Sequence, residues 1–298
     1  MRDHQLRALI QVAESGSIRA AARQVNLSQT ALTKALKDLE TEVGAELLSR
    51  SYRGIEFTPA GQALLERARL SSAILDRAKE EIRYLRGGSG IRVSIAITPL
   101  AAATAMAKAF QDFERIAPDA EISLFEGLPS IALPGLIQGE IDFAIVIADP
   151  RDLPYDVDFE KIASVSTSIA CRAHHPLAGA THWHELQSAQ WALNLSAGSQ
   201  GNQLLRWMER QGIDRPEKIT YCSSPLLMKD LMHRADRLCI GPRALFTDPV
   251  FSQGLTCIEL TPPPPDVTLG VITVKGIPLT QAARHLLTAF KRQLRGIS

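Results

Sequence analysis

Cysteine is scarce, with four residues in 298, and Cys171, Cys222, Cys239 and Cys257 are too widely spaced to form a CxxC pair. That spacing argues against both a disulfide framework and a thiolate zinc site. Cys239, inside Arg237-Leu-Cys-Ile-Gly241, reads instead as a small buried hydrophobe. Aromatic residues are few, at 5%, and no apolar run approaches the roughly 18 residues of a spanning helix. Met1-Arg2-Asp3-His4 leads into no signal-peptide core, so a cytoplasmic protein without a membrane partner is expected. Excess charge is also missing, since 33 Lys and Arg face 32 Asp and Glu. The imbalance that exists is local: residues 1–90 carry 14 basic against 11 acidic side chains, leaving a slightly acidic body.

Catalytic signatures are lacking as well. The chain has no nucleophile elbow, P-loop, glycine-rich dinucleotide fingerprint or HExxH helix, so an enzyme is not expected and no cofactor is implied. His174, His175, His182 and His184 lie within eleven residues, but a turn and a helix start account for them better than a metal does. What the sequence has is ordinary globular material, 45% hydrophobic and 22% charged, long enough for two or three units.

Residues 3 to 43 read as three short helices. Leu6, Leu9, Ile10 and Ala13 recur at helical spacing, Ser15-Gly16-Ser17 ends that helix, and Ser17 is placed to cap a short alanine-rich one over about 18–25. Asn26-Leu27 then turns the chain before Ser28 caps a third helix, which completes the outline of a helix-turn-helix. On the third helix Leu32, Leu36, Leu39 and Val43 form one apolar stripe, and Thr30, Thr33, Lys34 and Lys37 fall on the opposite side. Small hydroxyls can approach base edges and lysines can neutralise phosphates, although a merely solvated face has the same look. Two strand-like runs around Arg50-Ser-Tyr-Arg53-Gly54 form a hairpin beside this helix, a wing whose Arg50 and Arg53 are placed to grip a DNA backbone.

From Pro59 to Arg86 runs one long helical pattern of about 42 Å, with Thr58 as its cap. Leu64, Ala68, Ser71, Leu75, Ala78, Ile82 and Leu85 are spaced alternately four and three apart, a heptad seam suited to the same helix of a second chain. Burial within a bundle of its own chain is the other reading. Gly87-Gly88-Ser89-Gly90 follows as a hinge.

Ala20-Ala-Ala-Arg23, the segment Leu27 to Glu40, Gly44-Ala-Glu-Leu-Leu-Ser-Arg50 and Phe57-Thr-Pro-Ala-Gly61 together resemble the amino-terminal signature of the LysR-type transcriptional regulators, over some sixty residues in order. Thr30 stands where that family usually has proline, and Leu48 where it usually has phenylalanine. The resemblance implies a DNA-binding regulator that contacts an operator with two-fold symmetry through Ser28, Gln29, Thr30, Thr33, Lys34, Lys37, Arg50 and Arg53. It further implies a homodimer through residues 59–86, a homotetramer, and RNA polymerase as a partner at the promoter. Within the family the likeness leans towards regulators of aromatic sulfonate degradation.

Beyond residue 90 strands alternate with helices, at Ile91–Ile97, Ala120–Phe125, Phe143–Ile147, Ser168–Cys171, Trp191–Leu195, Ile219–Cys222, Leu238–Ile240 and Thr268–Val274. This pattern predicts α/β units with mainly parallel strands. The overall expectation is a multidomain α+β chain: a winged helix-turn-helix at 1–58, a linker helix and hinge at 59–90, and an α/β effector domain at 91–298. That last domain divides into one subdomain at about 91–160 plus 266–298 and another at about 161–265, forming a clamp.

Several strand ends carry the same chemistry. Thr98-Pro99-Leu100, Ser130, the loop containing Ser196, Ala197 and Ser199, and Ser224 all open helices, whose free N–H groups and partial positive charge suit a small anion. Ordinary capping explains any one of them alone. This half resembles the effector domain of the same family, built like a periplasmic solute-binding protein. Gly139-Glu-Ile-Asp-Phe-Ala144 and His175-Pro-Leu-Ala178 match its scaffold segments. The resemblance implies a small molecule held between the subdomains at Thr98, Ser130 and the Ser196 loop, and with the helix starts the expected site for a small organic acid comprises Thr98, Pro99, Leu100, Ser130, Ser196, Ala197, Ser199 and Ser224. The alternative is a solute-binding clamp whose front helices serve only for oligomerisation.

Overall fold

The structure, a computed structural model, describes residues 1–51, 54–86 and 90–297. It divides into two compact units, Met1–Gly88 with Ile137–Glu140, and Ser89–Leu136 with Ile141–Ser298.

In the first unit, helices α1 (Asp3–Ser15), α2 (Ile18–Gln24) and α3 (Gln29–Val43) follow the expected order. Ser17 caps α2 by accepting from the Ala20 N–H, and Ser28 caps α3 by accepting from Ala31 at 3.1 Å. Each cap satisfies one of the N–H groups a helix start leaves without an intrahelical acceptor. Ala21 and Ala22 are buried, so α2 packs closely over Leu9, Val12, Leu32, Leu36 and Leu39. Val43 departs from the expectation: it is 37% exposed, because α3 ends there at Gly44 in a left-handed turn and the chain leaves. Strands β1 (Leu48–Ser51) and β2 (Gly54–Phe57) pair antiparallel as the expected hairpin, and Glu40 anchors it by accepting from the N–H groups of Leu47 and Leu48.

Helix α4 (Pro59–Leu85) begins where Thr58 accepts from the Gly61 N–H at 3.0 Å. Gly61 cannot carry a side chain, since a Cβ would stand 2.0 Å from the Leu47 carbonyl oxygen. The start of the apolar seam belongs to the core of the head: Ala68 and the adjacent Leu65 are buried, and Leu64 is half-buried. From Ser71 onward the seam is open, with Leu75 47%, Ile82 57% and Leu85 69% exposed.

The second unit holds two five-stranded sheets. The first has the order β4-β3-β5-β12-β6, from β3 (Arg92–Ile97), β4 (Glu121–Glu126), β5 (Phe143–Ile147), β6 (Val157–Val165) and β12 (Val267–Val274). The second has the order β11-β7-β10-β8-β9, from β7 (Thr167–Arg172), β8 (Gln190–Leu193), β9 (Lys218–Tyr221), β10 (Arg237–Pro242) and β11 (Leu255–Ile258). The expectation of mainly parallel strands holds for direction with one exception in each sheet. β4, β3 and β5 pair parallel, as do β9, β8 and β10, whereas β12 is reversed and pairs antiparallel with β5 and β6, and β7 is reversed and pairs antiparallel with β10 and β11. β6 and β11 escaped the sequence reading because charged and polar residues interrupt them, Asp158, Glu160 and Lys161 in β6 and Thr256 in β11. β6 also stays in the first sheet until Val165, so that sheet extends past the boundary expected near 160.

The helices of this unit are α5 (Pro99–Ala101), which continues through a π-helical turn at Ala102–Met106 into α6 (Ala107–Glu114), then α7 (Pro129–Ile137) and α8 (Gln200–Gln211). They are followed by α9 (Pro225–Ala235), α10 (Arg243–Phe246) and α11 (Gln281–Leu294). One core lies between the first sheet and α6 and α11, where the Phe110 and Phe290 rings meet edge to face at 6.1 Å. The other surrounds Trp191, with Leu204 and Met208 of α8 packed on it. α5, α7, α8 and α9 each start just beyond the carboxyl end of a parallel strand, which is where open α/β sheets place their ligands.

Candidate functional site

On the head, burying Leu32, Leu36 and Leu39 forces the opposite face of α3 outward. Gln29, Thr30, Lys34 and Lys37 are exposed on it. Thr33 is half-buried and donates its hydroxyl to the Gln29 carbonyl at 2.8 Å, and the Ser28 oxygen is engaged as the helix cap. These six residues therefore lie together along the start and outer face of one helix. Arg50 lies on β1 with its side chain outside the description, and Arg53 lies outside the described residues altogether. Two exposed arginines of α2, Arg19 and Arg23, went unread because the alanines between them dominated that helix.

In the second unit the starts of α5, α7, α8 and α9 surround a cavity of about 100 Å³. Thr98, Pro99, Leu100 and Ser199 line it, as expected. Thr98 accepts from the Ala101 N–H at 3.2 Å, and Ser199 caps α8 while donating to the Asn194 carbonyl at 2.6 Å.

Four expected residues do not line the cavity. Ser130 is exposed as the second residue of α7, and the preceding Gly127, Leu128 and Pro129 take the place expected for it. Ser196 turns its N–H and hydroxyl to Asn194 Oδ1, at 2.9 and 2.8 Å, which closes the loop on itself and leaves Ala197 exposed. Ser224 caps α9 through the Leu227 N–H, and its neighbours Ser223 and Pro225 reach the cavity. A hydroxyl at a helix start thus coincides with a lining residue at Thr98 and Ser199, whereas at α7 and α9 it stands beside the residues that line the cavity.

The sequence reading missed two amide residues of the lining, Asn194 and Gln200, and the apolar group that Met228, Met232, Phe246, Phe251 and Cys239 contribute to it. Prolines at the first position of α5, α7 and α9 were a usable signal for these helix starts, as was the Met228/Met232 pair one turn apart on α9. Burial pushes the Cys239 thiol up to about 12, so it meets the cavity as a neutral, soft surface. Among the described residues, no Lys, Arg, His, Asp or Glu lines the cavity, and no group of three or more His, Cys, Asp or Glu side chains could hold a metal. Among the same residues no helix is long and apolar enough to cross a membrane.

Outside the rim, Arg206 of α8 pairs with Asp152 at 2.6 Å and with Asp149 at 3.4 Å. Arg151 also holds Asp149, and this hydrogen bonding keeps the Asp149 carboxyl below its usual range. His175 is structural: its Nδ1 accepts from the Leu177 N–H at 3.0 Å, and its Nε2 lies 3.3 Å from the Asp236 carbonyl.

A helix-turn-helix head with a hairpin wing, together with a two-sheet unit that encloses a ligand-sized cavity, defines a ligand-responsive DNA-binding regulator. Residues 4–62 match the bacterial regulatory helix-turn-helix proteins of the lysR family, and residues 86–295 match the LysR substrate binding domain. The chain belongs to the LysR-type transcriptional regulators, a family of DNA-binding proteins and not of enzymes. It is 27% identical over 281 residues to the transcriptional regulator TdcA of Escherichia coli K12, covering 94% of this chain and 89% of that protein. Its fold is similar to that of full-length CbnR in complex with its target DNA, with a TM-score of 0.68 and 21% identity over 98% of this chain and 100% of that one. It is also similar to ArgP from Mycobacterium tuberculosis, with a TM-score of 0.70 and 20% identity over 98% of this chain and 97% of the other.

Proposed function

We propose that the protein controls transcription by binding an operator with two-fold symmetry as a dimer of heads, and that a small organic acid in the cavity changes how those heads are presented. The observation that carries the effector half is the meeting of four helix starts at one cavity whose lining is uncharged among the described residues and mostly apolar. Helix starts favour negative charge, and the first-turn N–H groups of α8 have no intrahelical acceptor. A cavity of 150 Å³ accepts benzene, so about 100 Å³ suits a body somewhat smaller than an aromatic ring.

For DNA, the outward residues of α3, Gln29, Thr30, Lys34 and Lys37, are the proposed groove contacts, with Ser28 and Thr33 at its start and Arg50 and Arg53 of the hairpin on the backbone. The open seam of α4, Leu75, Ile82 and Leu85, supports pairing with the same helix of a second copy, and two such dimers would make a tetramer. Genomic footprinting of the purified protein tests the whole reading. A protected site of two related half-sites, whose pattern shifts when a bound acid is added, is the expected result. Protection without sequence preference would favour a solute-binding clamp whose head only oligomerises.

A further inference from the structure

The chain passes between the two sheets twice, at Ser166 between β6 and β7 and again between β11 and β12. The Thr167 hydroxyl ties the two crossings together by donating to the Pro265 carbonyl at 2.9 Å. Both crossings use an edge pair of strands, β12-β6 in the first sheet and β7-β11 in the second. A joint at one edge leaves two sheets free to hinge apart further along unless something holds them there.

The segments that follow β5 and β8 lie further along each sheet, and a charged contact joins them. After β5, Pro150–Asp152 forms a 3-10 turn capped by Asp149. The buried Asp149 carboxylate is engaged mainly within its own segment, where it accepts from the Arg151 N–H at 3.0 Å and from the Arg151 guanidinium at 2.9 and 2.7 Å. Asp152 is engaged from outside: its two oxygens accept from Arg206 of α8 at 2.9 and 2.6 Å, the two-pronged geometry in which arginine–carboxylate pairs are strongest. α8 belongs to the second sheet, since its Leu204, Leu205 and Met208 pack around Trp191. The turn before α8 lies against the same aspartate, because a Cβ at Gly198 would stand 3.7 Å from the Asp152 Cβ. By contrast, the pairs Arg172 with Asp236 and Lys291 with Glu160 each tie elements of a single sheet.

The contact borders the cavity. Ile147 lines it from the end of β5, and Gln200 and Gly201 line it from the first turn of α8. Arg206 stands five residues beyond Gly201, about 7.5 Å along the helix. We propose that Arg206 and Asp152 form a latch that holds the two sheets closed over the cavity, so that a molecule enters or leaves when the pair separates. The part this latch plays in regulation rests on the cavity being the effector site.

A thiol already in the wall reports the opening. Cys239 lines the cavity and is 2% exposed, while Cys171 is fully buried and outside the lining. The full-length protein and its variants are treated with methyl methanethiosulfonate, and the labelling rate of each cysteine is followed by mass spectrometry of its peptide. Arg206→Met and Asp152→Ala should each label Cys239 at least about threefold faster than the unaltered protein, the scale of one well-formed pair near a surface, with Cys171 unchanged. The double variant should label no faster than the faster single one, because both changes break one contact. Loss of a nearby cation disfavours a thiolate, so faster labelling in Arg206→Met reports access and not charge. Unchanged labelling of Cys239 in either single variant, an acceleration shared by Cys171, or single effects that multiply in the double variant would each overturn the latch. All of these outcomes are read without a ligand, so they decide the latch separately from what the cavity binds.

Discussion

On α3, Leu32, Leu36 and Leu39 follow one another at intervals of four and three and lie buried among α1 and α2. On α4, Leu75, Ile82 and Leu85 follow at intervals of seven and three and stand in solvent. Both stripes satisfy the same periodicity, so the pattern reports that a face is to be covered without reporting by what. Reach makes the difference. α4 has 27 residues, about 40 Å at ~1.5 Å each, whereas α1 has 13, so the head covers only the first turns of the long helix, at Leu65 and Ala68.

The comparison breaks most visibly at α3. Leu39→Ala removes a side chain with no exposure and should lower unfolding stability by about 2 to 5 kcal/mol, read by denaturant titration. A loss under about 1 kcal/mol would mean that the α3 stripe is no better covered than that of α4. At α4 the expected effect changes kind. Ile82→Glu places a charge on a residue 57% exposed and should shift the unfolding midpoint by no more than about 0.5 kcal/mol. It should nevertheless weaken self-association at least tenfold in sedimentation, about 1.4 kcal/mol. Unchanged association would assign the seam to some other cover.

The outer face of α3 sharpens the contrast further, since the exposure there is polar and is proposed to serve a DNA contact and not a packing face. Lys34→Ala should reduce binding to all DNA sequences alike and lower the slope of log affinity against log salt by about 0.9. A slope that does not move would remove Lys34 from the phosphate contacts.

The head was legible nearly to the residue because its instructions are local. A hydroxyl three residues before an N–H makes a cap, as at Ser17 and Ser28, and leucines at helical spacing make a core. The sheets were legible as elements but not as topology. Strand direction in β6 and β12 depends on where the chain returns from the other sheet, a contact about a hundred residues apart that no local pattern encodes. The cavity was legible as a set of loops. Which residue of each loop faces inward depended on competition inside the loop: Ser196 lost its place to Ser199 because Asn194 Oδ1 captured it. Met228 and Phe251 were unread because apolar residues that line a cavity look like any core residues until the space beside them is seen.

The smallest expected effect lies where α1 meets α4. Arg7 of α1 donates to Asp76 of α4 at 2.8 Å and also to Asp3 at 2.9 Å, while Asp76 accepts from Lys79 as well. The Arg7 guanidinium holds the Asp76 carboxyl below its ordinary range. A lowered carboxylate pKa stabilises the fold fully above the unfolded value of about 3.9, and that contribution is lost as pH falls through the lowered folded value. Because the side chains are 39% and 43% exposed, solvent screens the pair, and its coupling should be only about 0.2 to 1 kcal/mol. Single substitutions cannot isolate it, since Arg7→Met also releases Asp3 and Asp76→Asn also releases Lys79. A double-mutant cycle of Arg7→Met and Asp76→Asn isolates the shared term. That term should appear at pH 7 in low salt, diminish in high salt and vanish in acid below the folded carboxylate's range. A coupling that survives acid would mean that α1 and α4 are joined by packing alone, which would extend the covered part of the α4 seam from Ala68 towards Asp76.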